Sequence, residues 1–156
     1  CEDAINLLNV NGSINNIEIF GSNSDALDID FSNLIIESLN ITDANNDCLD
    51  VSGSNIKLNY GEFNKCLDKS VSVGEVSKVE ALIIEANNSN IGLAIKDSSF
   101  VEIAKFNAKD NNICIAMYRK KQEFGPSRLL LSENNCYAKY DDFFQIGQEV
   151  IYENWK

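Results

Sequence analysis

Three aspartates are the first residues in this chain whose types and spacing could do chemistry. Asp28 and Asp30 lie two apart, and Asp50 follows Asp28 by 22 positions. If both segments are strands of one sheet, Asp28 and Asp30 share a face, and Asp50 sits beside Asp28 at one strand spacing, about 5 Å. Carboxylates that close repel, so one must keep its proton to higher pH or a cation must sit among them. Calcium favours oxygen clusters of this kind. Asp28, Asp30 and Asp50 are therefore candidate metal ligands, and calcium is the one cofactor the chain suggests. An acidic, solvated face that keeps a sheet soluble accounts for the same residues.

A second group follows at the same step. Glu75, Asp97 and Arg119 are each 22 apart, with Lys96 before Asp97 and with Tyr118, Lys120 and Lys121 around Arg119. In strands stacked at that step, Glu75, Asp97 and Arg119 share a column of alternating charge. A surface ion-pair network, weak per pair, is one account of it. The other is a groove for an acidic sugar, with Lys96, Arg119, Lys120 and Lys121 meeting its carboxylates and Tyr118 covering a ring face. The surrounding acidity limits such a ligand to a short or partly charged saccharide. No acid and nucleophile can be assigned, because sequence does not set the carboxylate separation.

What the composition lacks narrows the field. There is no His among 156 residues, which removes the Ser-His-Asp triad, the Cys-His pair and His-ligated zinc. With 13 basic and 24 acidic residues the net charge is -11. That argues against nucleic acid, whose binding runs on Lys and Arg, and against an anionic membrane surface. No apolar run approaches the roughly 20 residues that span a bilayer. No secretory leader opens the chain, and a start at Cys1 without Met fits a trimmed segment better than a mature lipoprotein.

The elements that must position these residues come from a repeat. Rows of 22 begin at Asp3, Asp25, Asp47, Lys69, Ile91 and Ile113. Ala4, Ala26, Cys48, Ser70, Gly92 and Cys114 form a column of small residues. Ile5, Leu27, Leu49, Val71, Leu93 and Ile115 form an aliphatic column, as do Leu7, Ile29, Val51, Val73, Ile95 and Met117. Between these two lie Asn6, Asp28, Asp50, Ser72, Ala94 and Ala116, polar or small. Apolar, polar, apolar is a strand with one buried face, and six aligned rows mean strands stacked in parallel. Residues 4–8, 26–30, 48–52, 70–74, 92–96 and 114–118 are predicted to form one parallel sheet. Two further strands per coil are expected, among them Leu34–Ile36 with Leu39–Ile41 and Val101–Ile103 with Lys105–Phe106. A one-residue insertion follows Glu75. Asn pairs late in the coil suit turns, since Asn tolerates left-handed backbone. The matches to the glycosylation motif at Asn11, Asn40 and Asn87 are read as accidents of an Asn-rich chain.

The fold class is thus all-β: a right-handed parallel β-helix of about six 22-residue coils with a partial capping coil at the C-terminus. An enlarged turn after Met117 carries the only Pro. Phe143, Phe144, Tyr152 and Trp155 are available for a cap. The N-terminal row has no comparable cap. Residues 1–156 are read as one domain, the C-terminal part of a longer chain whose other coils would pack at the N-terminal end. Among the five cysteines, Cys48 and Cys114 share a column about 14 Å apart, too far for a disulfide. Cys66 lies near the third corner of its coil, with Cys136 two coils above it. The cysteines are read as small buried hydrophobes, and a disulfide-stapled fold is not expected.

The rows DALDIDFSN, DCLDVSGSN, KSVSVGEVS, IGLAIKDSS and ICIAMYRKK resemble right-handed parallel β-helix repeats of the pectate-lyase-like superfamily. SVGEVS, IKDSS and MYRKKQEFG look like a bacterial subgroup of them. The resemblance implies polysaccharide or oligosaccharide ligands on the outer face of the first sheet, and a bacterial cell-surface or extracellular location, which cysteine usage does not itself suggest. No lyase signature is present. The expected function is a non-catalytic carbohydrate-binding or surface-scaffold module. The alternative is a polysaccharide lyase or hydrolase, or part of one, and a third reading is an acidic decoy surface for a basic partner.

Overall fold

The computed structural model describes residues 3–153, so Cys1 and Trp155 lie outside the described residues. Among the described residues all regular structure is β. The strands run β1 (Ile5–Leu8), β2 (Asn11–Ser22), β3 (Leu27–Asp30), β4 (Asn33–Ala44), β5 (Leu49–Ser52), β6 (Asn55–Cys66), β7 (Lys69–Gly74), β8 (Lys78–Asn87), β9 (Ile91–Lys96), β10 (Phe100–Tyr118), β11 (Arg128–Tyr140), β12 (Phe143–Phe144) and β13 (Glu149–Tyr152). Each coil is a short strand followed by a long one, giving six coils and a partial seventh. Among the described residues no helix is long and apolar enough to cross a membrane.

The predicted first sheet is present and parallel throughout. Ile5 pairs with Leu27, Leu27 with Leu49, Leu49 with Val71, Val71 with Leu93 and Leu93 with Ile115. From Leu27 upward both aliphatic columns are buried, including Ile29, Val51, Val73, Ile95 and Met117. The second and third segments expected as separate strands are instead one long strand in each coil. The pairing of β4 with β6 runs from Asn33–Asn55 to Ala44–Cys66 and skips only at Glu37 and at Asp43. No Gly or Pro interrupts β4, so the chain bends without leaving the ladder. In the fifth coil β10 also runs on through the next corner into the first-sheet strand of the sixth.

Two corners close every coil, and each has its own chemistry. After the first-sheet strand comes a left-handed residue: Asn9, Phe31, Gly53, then Glu75 with Val76, then Asp97 with Ser98. The doubled left-handed pair at Glu75 and Val76 is the expected one-residue insertion. A buried serine follows in coils two to six: Ser32, Ser54, Ser77, Ser99 and Ser127. Each hydroxyl accepts the backbone N–H of the coil below. Val10 donates to Ser32, Ser32 to Ser54, Ser54 to Ser77, Ser77 to Ser99 and Ser99 to Ser127, at 2.9–3.2 Å. Gln148 Oε1 ends the ladder by accepting from Ser127 N at 2.7 Å. The enlarged turn loops out ahead of Ser127, and the chain rejoins the ladder there.

The other corner brings the end of a coil back against its start. Here the small column meets a second set of small residues. Cys48 is joined to Cys66 by a disulfide, with 5.4 Å between Cα atoms. Ser70 Oγ bonds Ser89 Oγ at 2.8 Å. Gly92 faces Asn111, whose Nδ2 would lie 3.2 Å from a Cβ at that glycine. Cys114 is joined to Cys136, with 6.1 Å between Cα atoms. Ala26 and Ala44 hold the matching places one coil below the first disulfide. Two disulfides correct the expectation of free, buried cysteines. Cys48 and Cys114 indeed do not pair with each other; each pairs across the corner with the far end of its own coil.

Two outcomes are expected from unfolding experiments. At Gly92 an added Cβ would meet the Cys114 carbonyl oxygen at 2.9 Å, backbone that cannot step aside. Gly92→Leu is therefore expected to lose about 1–3 kcal/mol in urea denaturation. Ser54→Ala leaves the buried Ser32 N–H unpaired and is expected to lose about 1–3 kcal/mol in the same assay. A serine variant as stable as the parent would show that water replaces the ladder.

Candidate functional site

Two outward columns form the outer face of the first sheet. One is Asn6, Asp28, Asp50, Ser72, Ala94 and Ala116 in continuous register. The other contains Leu8, Asp30, Ser52, Gly74, Lys96 and Tyr118. The lower end is acidic and half-exposed. Asn6 Nδ2 donates to Asp28 Oδ2 at 2.8 Å. Partial burial, with Asp30 and Asp50 nearby, pushes the Asp28 carboxyl up to about 6. Burial and Asp50 likewise raise Asp30. Among the described residues no three acidic or cysteine side chains converge to hold a metal ion.

The middle of this face is covered. Ser72 and Ala94 are fully buried, and Lys96 is only 5% exposed. The expectation of a solvent-facing Lys96 gives way for a local reason. Gly74 presents no side chain, so the Lys96 stem lies across it, with Cε 3.4 Å from where a Cβ would be. The ammonium thereby reaches down two coils to Asp50, and Lys96 Nζ stands 3.9 Å from Asp50 Oδ1. Burial pulls the Lys96 pKa below its usual value, only partly offset by Asp50, and Lys120 pulls it further. Asp50 Oδ1 and Ser72 Oγ are buried without a hydrogen-bond partner.

Lys69 lies at the edge where the coil begins. It is ion-paired with Asp68 and, at 3.2 Å, with Asp47. Burial opposes its charge, but the bond to Asp68 and the Asp47 carboxylate hold its pKa above the usual lysine value. Tyr118 is half-buried, and burial raises its phenol pKa. Its ring stands 6.4 Å from Phe143, tilted by 56°.

The predicted ligand residues divide into two sets. Lys96 and Tyr118 are register partners on one face, as expected. Arg119 and Lys120 are exposed on the enlarged turn just above. Asp97 and Glu75 serve that turn. Asp97 is buried, and its Oδ1 accepts the N–H groups of Lys120 at 2.7 Å and Lys121 at 2.9 Å. Lys121 Nζ pairs with Glu75 at 2.5 Å. Arg119 N donates to Gln145 Oε1 at 2.7 Å, so Arg119 is tied to the partial coil by its backbone. The charge ladder Glu75–Asp97–Arg119 is thus interrupted at Asp97, which turns inward. The rows placed Ser72 in the outward column, but Ser72, Gly74 and Lys69 were not anticipated as site residues. The signal was available: two small outward residues in the row beneath a lone outward lysine. Elsewhere, a groove of about 270 Å³ lies at the bend of the long strands, lined by Lys57, Leu82, Glu102 and Ala104 among others. Its Glu80 carboxylate is already paired with Lys57 and Lys78.

No family model, curated protein or solved structure matches the chain.

The raised Asp28 carboxyl has a stability consequence. Its folded pKa of about 6 exceeds the ordinary value of 3.8. The folded form therefore holds the proton more tightly, and ionisation of Asp28 costs stability as pH rises through that window. Asp28→Asn is expected to unfold at higher urea than the parent above about pH 6, with the difference closing as pH falls towards 4. An equal gap at both ends would show that charge at Asp28 is not the cause.

Proposed function

We propose that this chain is a non-catalytic module that binds a short oligosaccharide along the outer face of its first sheet. The reading includes a place among pectate-lyase-like β-helices of a bacterial surface or extracellular space, with further coils of a longer chain against the β1–β2 edge. Two disulfides suit an oxidising compartment. The observation that carries the reading is the group of atoms on that face with unused hydrogen-bonding capacity: Asp50 Oδ1 and Ser72 Oγ, beside the Lys96 ammonium. Buried polar atoms are nearly always paired, so these two are unmet polar demand on that face. Tyr118 borders them, and Arg119 and Lys120 offer free charge above them. The acidic lower end, with Asp28 and Asp30, makes this face a poor match for a long polyanion such as nucleic acid.

Titration calorimetry at low salt, with neutral and uronic-acid tetrasaccharides in parallel, tests this. Weak binding is expected, reduced by Tyr118→Ala through loss of ring contact. For a uronate, binding is also expected to fall with added salt and in Arg119→Ala. Absence of binding to every tetrasaccharide would leave only the scaffold role. The lyase or hydrolase reading draws on one observation, an Asp28 that keeps its proton to about pH 6 and a Lys96 of lowered pKa on the same face. Incubating the same saccharides with the protein and looking for unsaturated or shortened products separates the two.

A further inference from the structure

We propose that Lys96 and Asp50 condense to an amide, an isopeptide link that staples the third coil of the solenoid to the fifth across the fourth. Such a link does not depend on the saccharide reading.

The two side chains meet as a buried pair that makes no hydrogen bond. Lys96 is 5% exposed, and its Nζ stands 3.9 Å from Asp50 Oδ1. A charge-assisted N–H···O bond closes to about 2.7–2.9 Å, so the ion pair is incomplete. Asp50 Oδ1 is closed off from solvent and has no hydrogen-bond partner. Opposite charges held in the interior without good bonds do not recover what they lose on leaving water. Lys69, on the neighbouring edge, is the contrast. Burial opposes its charge too, yet the bond to Asp68 and the Asp47 carboxylate hold its pKa above the usual lysine value. For Lys96 burial prevails, only partly offset by Asp50, with Lys120 and Lys69 pulling the same way as burial. Lys96 is thus the lysine placed to give its proton to the carboxylate it faces, because burial favours a neutral amine and a carboxylic acid over two charges.

The condensation needs no co-reactant. The Lys96 ammonium passes one proton to the Asp50 carboxylate, which leaves an amine and a carboxylic acid. The Nζ lone pair attacks Cγ, a C–N bond forms, and one C–O bond breaks. The departing oxygen leaves as water with one proton from the acid and one from the amine, and nothing is oxidised or reduced. A shift of about 1 Å in the lysine stem brings Nζ to a near-attack separation of about 3–3.5 Å from the carboxyl group. The Asp50 side chain is 25% exposed although Oδ1 is buried, so the way out for water lies on the side away from Oδ1. Asp28 is the register partner of Asp50 on the strand below, and partial burial keeps its proton on up to about pH 6. It can lend that proton to the departing oxygen and recover it from the amide nitrogen. Gly74 makes the approach possible, since the Lys96 Cε lies 3.4 Å from where a Cβ at that position would stand. The product replaces two charges with one N–H and one C=O, and Ser72 Oγ, unpaired on the strand next to Asp50, is available to meet one of them. The two disulfides each close a single coil; this link would run along the axis instead. It would remove the charge of Lys96 from the outer face and leave Tyr118, Arg119 and Lys120 as they are.

Intact-mass spectrometry of the whole protein, reduced and denatured, is the test. The parent is expected about 18 Da below its sequence mass, the loss of one water. Proteolysis should then yield one branched peptide that joins the segment holding Asp50 to the segment holding Lys96, with no tryptic cleavage after Lys96. Lys96→Met is expected at its full sequence mass. Asp50→Asn is expected to form the same link with a loss of about 17 Da, one ammonia. The parent alone decides the matter if a variant fails to fold. A parent at full sequence mass, both freshly purified and after prolonged incubation at neutral pH, overturns the proposal. A deficit that persists in Lys96→Met also overturns it, because a cyclic imide within the backbone would then be the cause.

Discussion

Each coil of this solenoid must bring its last residues back against its first at a corner about one small side chain thick. The Cα atoms that face each other there are 5.4 Å apart in one coil and 6.1 Å in another. A leucine or phenylalanine cannot fit between chains so close. The residues that do fit are the alanine pair Ala26 and Ala44, a hydroxyl pair at Ser70 and Ser89, a glycine beside Asn111, and two cystines. The pairs differ in chemistry yet solve the same problem, which is to fill a narrow space without an unpaired polar atom. Asn111 shows how tightly the solution is drawn. Its Oδ1 accepts the Ser89 N–H and its Nδ2 donates to the Ala86 carbonyl, both at 2.8 Å, and only a glycine at position 92 leaves it room.

The closed corner keeps the first-sheet strands in register, and the outer face inherits that register. Because Asp50, Ser72 and Ala94 are stacked, and because Gly74 lies under Lys96, one long side chain can reach across two coils. The serine ladder does the same service at the opposite end of each short strand. It satisfies the backbone where the chain turns and takes the direction of the next segment from a left-handed residue. A loop of extra residues can then be inserted before Ser127 without disturbing the stack. Arg119 and Lys120 are displayed on that insertion, at the rim of the face rather than within it.

Most of the architecture was legible because stacking turns sequence spacing into distance: residues 22 apart are neighbours. The aliphatic columns, the parallel first sheet, the insertion at Glu75 and the pairing of Lys96 with Tyr118 all follow from that step. The disulfides were not legible by it, since they join residues across a coil instead of up the stack. Cys48 and Cys66 become neighbours only once the width of the corner is known. The serine column stood in the rows at the end of each first strand, and its meaning depends on backbone donors that a row of letters does not display. The burial of Lys96 and the inward turn of Asp97 depend on the absent side chain of Gly74 and on the path of the enlarged turn, and neither is a periodic feature.

Mapping the disulfides of the unreduced protein tests the corner most directly. Proteolysis under conditions that block thiol exchange, followed by mass spectrometry, should yield one linked peptide pair containing Cys48 and Cys66 and another containing Cys114 and Cys136. Cross-coil links such as Cys66 with Cys136, or four free thiols at these positions in protein folded under oxidising conditions, would contradict a coil that closes on itself at this corner.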